Sequence, residues 1–170
     1  WTFGYHAFFS STSSTPERIA KFKLYVAAQA ERIYRNRSFA IFTHGNHAVT
    51  EAFGLWMVGI LFPELKNAEK YLSFGKFSLE REARAQLFPD GTYSMYSLNY
   101  HRFVLQIYLY AIRLAELNHF PLSTNIKQSV ITSLEYLSQL IDPQAGQMPV
   151  YGSNDGALVC PLDSCDFTDL

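Results

Sequence analysis

Two short polar runs carry side chains that could do chemistry. One is His44-Gly45-Asn46-His47; the other is Asn99-Tyr100-His101-Arg102, with Tyr93 and Tyr96 just ahead of it. Each run opens a helical pattern. Helix N-termini favour negative charge, through unpaired N–H groups and the dipole. An amide, imidazoles, a phenol and a guanidinium at two such ends suit a polar, ring-shaped, acidic ligand. Taken singly, each residue also has a plainer use. Asn46 fits a helix cap, the tyrosines fit half-buried packing, His101 fits a supporting or structural place, and Asp155, in Ser153-Asn154-Asp155-Gly156, fits a turn.

The elements that must position these groups read as helices. Residues 1–13, aromatic and then Ser/Thr-rich, read as a loop. Thr15-Pro16-Glu17 opens a helix with a capping hydroxyl, a proline at the first position and an acid in the first turn. The apolar spacing of Ile19, Phe22, Tyr25 or Val26, Ala30 and Ile33 carries it to about Arg35, and residues 36–47 read as a connection. A second helix, about His47 to Phe62, is apolar nearly all round and so belongs inside. A third runs from about Pro63 to Leu87, with Gly75 as an interruption. A fourth spans about Ser97 to Asn118, and a fifth, capped by Ser123 or Thr124, ends near Ile141. Residues 142–170 lose helical periodicity and carry turn residues. Long helices with short loops are antiparallel neighbours, so the class is all-α. Alternate helices in such an array start on the same side, which lets the two polar runs face one cleft.

A chain of 170 residues suits one domain with a real core, and 48% hydrophobic content with 17% charge excludes a disordered chain. The net charge of −1 gives no overall pull towards nucleic acid or a membrane. All but one of the 14 Lys and Arg precede residue 114, so a polyanion would favour that part. No apolar run is long enough to cross a bilayer. The chain starts at Trp1 without a signal peptide, as a trimmed piece would. Cys160 and Cys165 are too few for a disulfide framework or a zinc site, although they could pair with each other.

HGNHAVTEAFGLWMVGILFPELKNAEKY, then FPDGTYSMYSLNYHRFVLQ, then MPVYGSNDGALV resembles the heparinase II/III-type polysaccharide lyases, in order and spacing, from about Thr43 to Leu158. The resemblance implies an incomplete (α/α) toroid of antiparallel helical hairpins over residues 1–170, with a loop-rich C-terminal stretch. It also implies that the family's C-terminal β-sandwich region, with a further catalytic histidine, is absent from this chain. Such enzymes cleave uronic-acid-containing polysaccharides, glycosaminoglycan- or alginate-like, by β-elimination, without a cofactor or metal. The resemblance carries a bacterial, periplasmic or secreted setting. It places Asn46 and His47 on the uronate carboxylate, where an amide and an imidazole stabilise the charge that develops as C5 loses its proton. It makes Tyr100 the proton donor to the leaving oxygen and a candidate base. As a base it would need a neighbour such as Arg102 or His101 to lower its pKa. Glu51, one turn after His47, could orient that imidazole. His44, Tyr96, Asn99, His101, Arg102 and Asp155 become substrate-binding candidates.

Met95 stands where related sequences often carry Gln or Glu, and a thioether is a poor partner for a sugar hydroxyl. Two rival readings follow: a carbohydrate-binding or scaffold module with impaired catalysis, and an inverting glycosidase on a similar toroid. The second needs two acids, from Glu51, Asp90 and Asp155, about 6.5–9.5 Å apart across one cleft.

Overall fold

The computed structural model describes residues 1–159, and six helices account for most of them. Cys160 and Cys165, whose pairing the sequence leaves open, lie outside the described residues. In chain order the helices are α1 (Thr2–Phe9), α2 (Pro16–Thr43), α3 (Asn46–Leu61), α4 (Ala68–Gln86), α5 (Leu98–Asn118) and α6 (Thr124–Gln139). The described residues contain no strand, only an isolated antiparallel bridge between Leu87 and Tyr93. No helix among them is long and apolar enough to cross a membrane.

Several boundaries differ from the expected ones. Residues 2–9 form a helix rather than a loop, because the aromatics find partners: Tyr5 meets Phe62 edge-on, and Phe8 stacks on Phe22. α2 begins as read, with Thr15 accepting from the Arg18 N–H at 3.4 Å and Pro16 at its start. It then runs on past Arg35 to Thr43, since neither Pro nor Gly intervenes before Gly45. Pro63-Glu64 opens a turn rather than a helix. Leu65 N–H bonds Phe62 C=O, Ala68 N–H bonds Leu65 C=O, and α4 starts only at Ala68.

α3 is the inner helix its sequence suggests. One side, with Val49, Ala52, Trp56 and Ile60, joins a core shared with α4, α5 and α6. The other, with Leu55 and Val58, joins a smaller core with α2 and the aromatics of α1. α3 and α4 are antiparallel, and two glycines bring them close. A Cβ on Gly59 would lie 2.7 Å from the Leu72 Cα, and one on Gly75 would lie 2.5 Å from the Trp56 Cβ. Gly75 therefore does not interrupt α4; it removes a side chain where the two backbones meet. Tyr108 of α5 donates to the Leu79 carbonyl of α4 at 3.1 Å, locking the next helix onto the pair.

Candidate active site

Both polar runs sit at helix starts, as the sequence requires, and a third segment lies over one of them. At the α2–α3 corner His44 ends α2 in the left-handed conformation (φ 46°), and Gly45 takes the cap position of α3. Asn46 is the first residue of α3 and does not cap it, so its side-chain amide makes no capping bond. His47 is exposed and Asn46 half-buried. The amide and the imidazole thus stand at a helix N-terminus, where an anion is favoured.

At the start of α5, Ser97 accepts from the Tyr100 N–H at 3.2 Å and donates its own hydroxyl proton to the Ser153 carbonyl at 2.6 Å. Leu98 N–H bonds the Tyr151 carbonyl at 3.1 Å. Gly152 has φ 75°, and a Cβ there would lie 2.2 Å from the Tyr96 carbonyl oxygen, so only glycine fits this crossing. The loop from Pro149 to Ala157 is thereby laid over the N-terminus of α5. It delivers Asp155, which is more than a turn residue. The Tyr100 hydroxyl donates to Asp155 Oδ2 at 2.6 Å, and the Asn99 amide donates to Oδ1 at 3.3 Å. Arg102 donates to the Asn99 Oδ1 at 2.9 Å.

These bonds shift the acidity of the phenol. The hydrogen bond to the Asp155 carboxylate, helped by slight burial and by the carboxylate's charge, raises the Tyr100 pKa above its ordinary value. The same bond, with one from the Ala157 N–H, lowers that of Asp155. Neither residue expected to lower the Tyr100 pKa does so. Arg102 is directed to Asn99. His101 is 1% exposed, and burial lowers its pKa to about 4, so it is neutral near pH 7. Its ring stacks on Tyr93 at 5.5 Å and lies against Tyr136, and its Nε2 is buried without a hydrogen-bond partner among the described residues.

Glu51 shows no hydrogen bond to His47. Its Oε2 is buried without a hydrogen-bond partner, and the residue lines a small void with Arg37, Ser78 and Arg81. Burial raises its pKa, and the nearby His47 acts in the opposite direction. Asp90 is spent on its own turn, accepting from Thr92 N–H at 3.0 Å and Thr92 Oγ1 at 2.7 Å. Of the three acids considered for a glycosidase, Asp90 and Asp155 are thus held by hydrogen bonds to Thr92 and Tyr100, and Glu51 is half-buried in its void. No cluster of three His, Cys, Asp or Glu suited to a metal occurs among the described residues.

A set of residues that the motif-based reading passed over joins the two corners. Glu82 is fully buried, yet it bonds Arg81, Gln86 and His44. Gln86 donates to the Gly45 carbonyl at 3.2 Å and accepts from the Tyr93 hydroxyl at 3.1 Å. Met95 has a role here too. Its sulfur lies 3.4 Å from the Asn46 backbone nitrogen, which donates to it, and packs on Gly45. A signal for this set exists in the sequence. Ser78, Glu82 and Gln86 recur every four residues on the same stripe of α4 as Gly75, Leu79 and Ala83, where only apolar or small residues are expected.

Beside these corners lie two recesses. A groove of about 790 Å³ is lined by Arg35, Arg37, Ser38, Ile41, Phe42 and His44, and so carries positive charge next to the Asn46 corner. A cleft of about 420 Å³ runs between Tyr93, Tyr96, Tyr136 and Tyr151. Tyr96 is 67% exposed and held at φ 51°, a conformation unusual for a side chain of its size.

The heparinase II/III N-terminus family model matches residues 2–154. The chain belongs to the heparinase II/III family. It is 33% identical over 111 residues to a heparin-sulfate lyase of Bacteroides thetaiotaomicron, covering 65% of this chain and 15% of that protein. It is 30% identical over 121 residues to a heparin-sulfate lyase of Bacteroides stercoris, covering 69% of this chain and 18% of that protein. Its fold superposes on the crystal structure of heparinase III with a TM-score of 0.71 at 28% identity, covering 82% of this chain and 21% of that one. The helical array is therefore part of a helical toroid, and the chain spans less than a quarter of the length of these heparinase II/III relatives.

Proposed function

We propose that this chain is part of the toroid domain of a polysaccharide lyase that cleaves a uronate-containing, glycosaminoglycan-like chain by β-elimination. The names of the two Bacteroides relatives favour heparin-sulfate as the polymer class. Asn46 and His47 hydrogen-bond the uronate carboxylate and stabilise the charge that develops on it as C5 is deprotonated. Tyr100 donates its proton to the leaving glycosidic oxygen. The single observation that carries this reading is the Tyr100–Asp155 bond of 2.6 Å, which holds the phenol at the start of α5 and raises its pKa above the ordinary value. A group that must give a proton is best held with it until the leaving oxygen accumulates charge. The same bond makes Tyr100 a poor base in this arrangement, so proton abstraction falls to another group. The toroid portion alone supplies part of the site, and the rest comes from elsewhere in the protein. Outside the cell, in a periplasm or secreted, such an enzyme would meet its polymer.

The test is an ultraviolet assay of the unsaturated product, run with the full-length protein on heparin-sulfate, other glycosaminoglycans and alginate. Product from a glycosaminoglycan supports the reading, and product from alginate alone moves the substrate class. Retention of glycans on affinity electrophoresis with no product from any polymer would favour a binding module.

A further inference from the structure

We infer that Glu82 is a positioning residue for the Asn46–His47 corner, acting through Gln86 and His44; this rests on the lyase reading above. Glu82 lies one turn before the C-terminal end of α4 and has no exposed surface. A buried carboxylate is unfavourable unless it is paired and hydrogen-bonded. Here it is fully engaged. Oε1 accepts from the Arg81 Nε at 2.9 Å and also from its Nη2. Oε2 accepts from the Gln86 amide at 2.9 Å and faces the His44 Nδ1 at 3.3 Å. Burial works to raise its pKa, but these three partners together lower it, so Glu82 is ionised in the folded protein.

Through these partners Glu82 reaches the α2–α3 corner and the segment that leads into α5. His44 ends α2 in the left-handed region, which a residue with a side chain enters only when its surroundings hold it there. Gln86 holds the Gly45 carbonyl, one residue before Asn46, and takes the Tyr93 hydroxyl on its other side. Tyr93 stacks on His101, next to Tyr100. One charge thus fixes the corner that presents Asn46 and ties it to the segment leading into Tyr100. An apolar residue would pack this stripe of α4 at no desolvation cost, so the carboxylate is retained for what it orients rather than for stability. Its contribution is geometric. It touches no reacting atom, and its removal lets the Gly45–Asn46 peptide turn.

The experiment is a double-mutant cycle in the full-length protein, with heparin-sulfate as the polymer and Glu82→Gln and Asn46→Ala as the changes. Glu82→Gln is expected to lower kcat by about 10–100-fold, as loss of an outer-layer orienting partner does, with KM within about threefold. In the Asn46→Ala background the same change is expected to do little, because the group it orients is gone. Glu82→Asp is expected to recover part of the rate. Circular dichroism confirms that each variant is folded. Wild-type kcat in folded Glu82→Gln, or losses that simply multiply in the double variant, would overturn the positioning role. Full activity in Asn46→Ala would instead overturn the assignment of the carboxylate site, and the two failures are told apart by which single variant keeps its rate.

Discussion

The phenol of Tyr100 and the carboxylate of Asp155 share one short hydrogen bond, and the proposed chemistry turns on it. If Tyr100 is the donor, Tyr100→Phe should lower kcat by about 10²–10⁴-fold, the usual contribution of general acid catalysis, with KM changed far less. Asp155→Asn gives a finer check. The hydrogen bond to the Asp155 carboxylate, helped by burial and by its charge, raises the Tyr100 pKa, so replacing the carboxylate with a neutral amide should bring that pKa down. A donor must be protonated to act, so the alkaline limb of the pH–rate profile should move to lower pH in Asp155→Asn. An unmoved limb would mean that another group sets it. At this scale the sequence exposed the reactive types but not their pairing. Asn46, His47 and Tyr100 stood out by type and position, whereas Asp155 looked like a turn residue. Its partner lies 55 residues earlier in the chain, and no local pattern reports such a contact. Met95 shows the same limit: only the fold reveals that its sulfur faces the Asn46 N–H.

At the scale of elements, α3, α4 and α5 form the frame, and two places in it can be probed. Gly75 is where α4 crosses the Trp56 backbone, and a methyl group there has no room. Gly75→Ala should destabilise the protein by about 1–3 kcal/mol, as overpacking a filled core does, read as a lower urea midpoint with an unchanged slope. The second place is His101 near the start of α5. Its pKa falls from an ordinary 6.5 to about 4 on folding. Between these values the unfolded chain binds the extra proton and the native state does not. The His101 contribution is therefore complete above pH 6.5 and is lost as pH falls towards 4, amounting to roughly 3 kcal/mol over that span. Replacing His101 with Phe should flatten the stability profile in that window. The helix starts at Pro16, Asn46 and Leu98 were legible because caps, a proline and a glycine mark them. The start of α4 was not, since Pro63 serves a turn as readily as a first helical turn. α1 was not legible either: its aromatics have no helical periodicity of polar against apolar, and they become a helix by packing on Phe22 and Phe62.

Over the whole molecule, the all-helical class and the order of hairpins could be read from spacing alone, and family membership adds the toroid. The buried polar set around Glu82 escaped that reading because it lies on an inward stripe in the second half of α4, away from any helix start. α2 presents Leu24, Phe39 and Phe42 to solvent at 71%, 73% and 85% exposure, together with the basic groove at Arg35 and Arg37. A polyanion lying in that groove would be held by charge, so KM for the polymer should rise with salt. Arg37→Ala should raise KM and reduce that salt dependence while leaving kcat close to wild type. The central claim is β-elimination with Tyr100 as proton donor. It is tested most directly by following the ultraviolet absorbance of unsaturated product from heparin-sulfate with the full-length protein and its Tyr100→Phe variant. Steady product formation by the wild type and a rate at least about 100-fold lower in Tyr100→Phe is the expected result. Equal rates in the two proteins would contradict it.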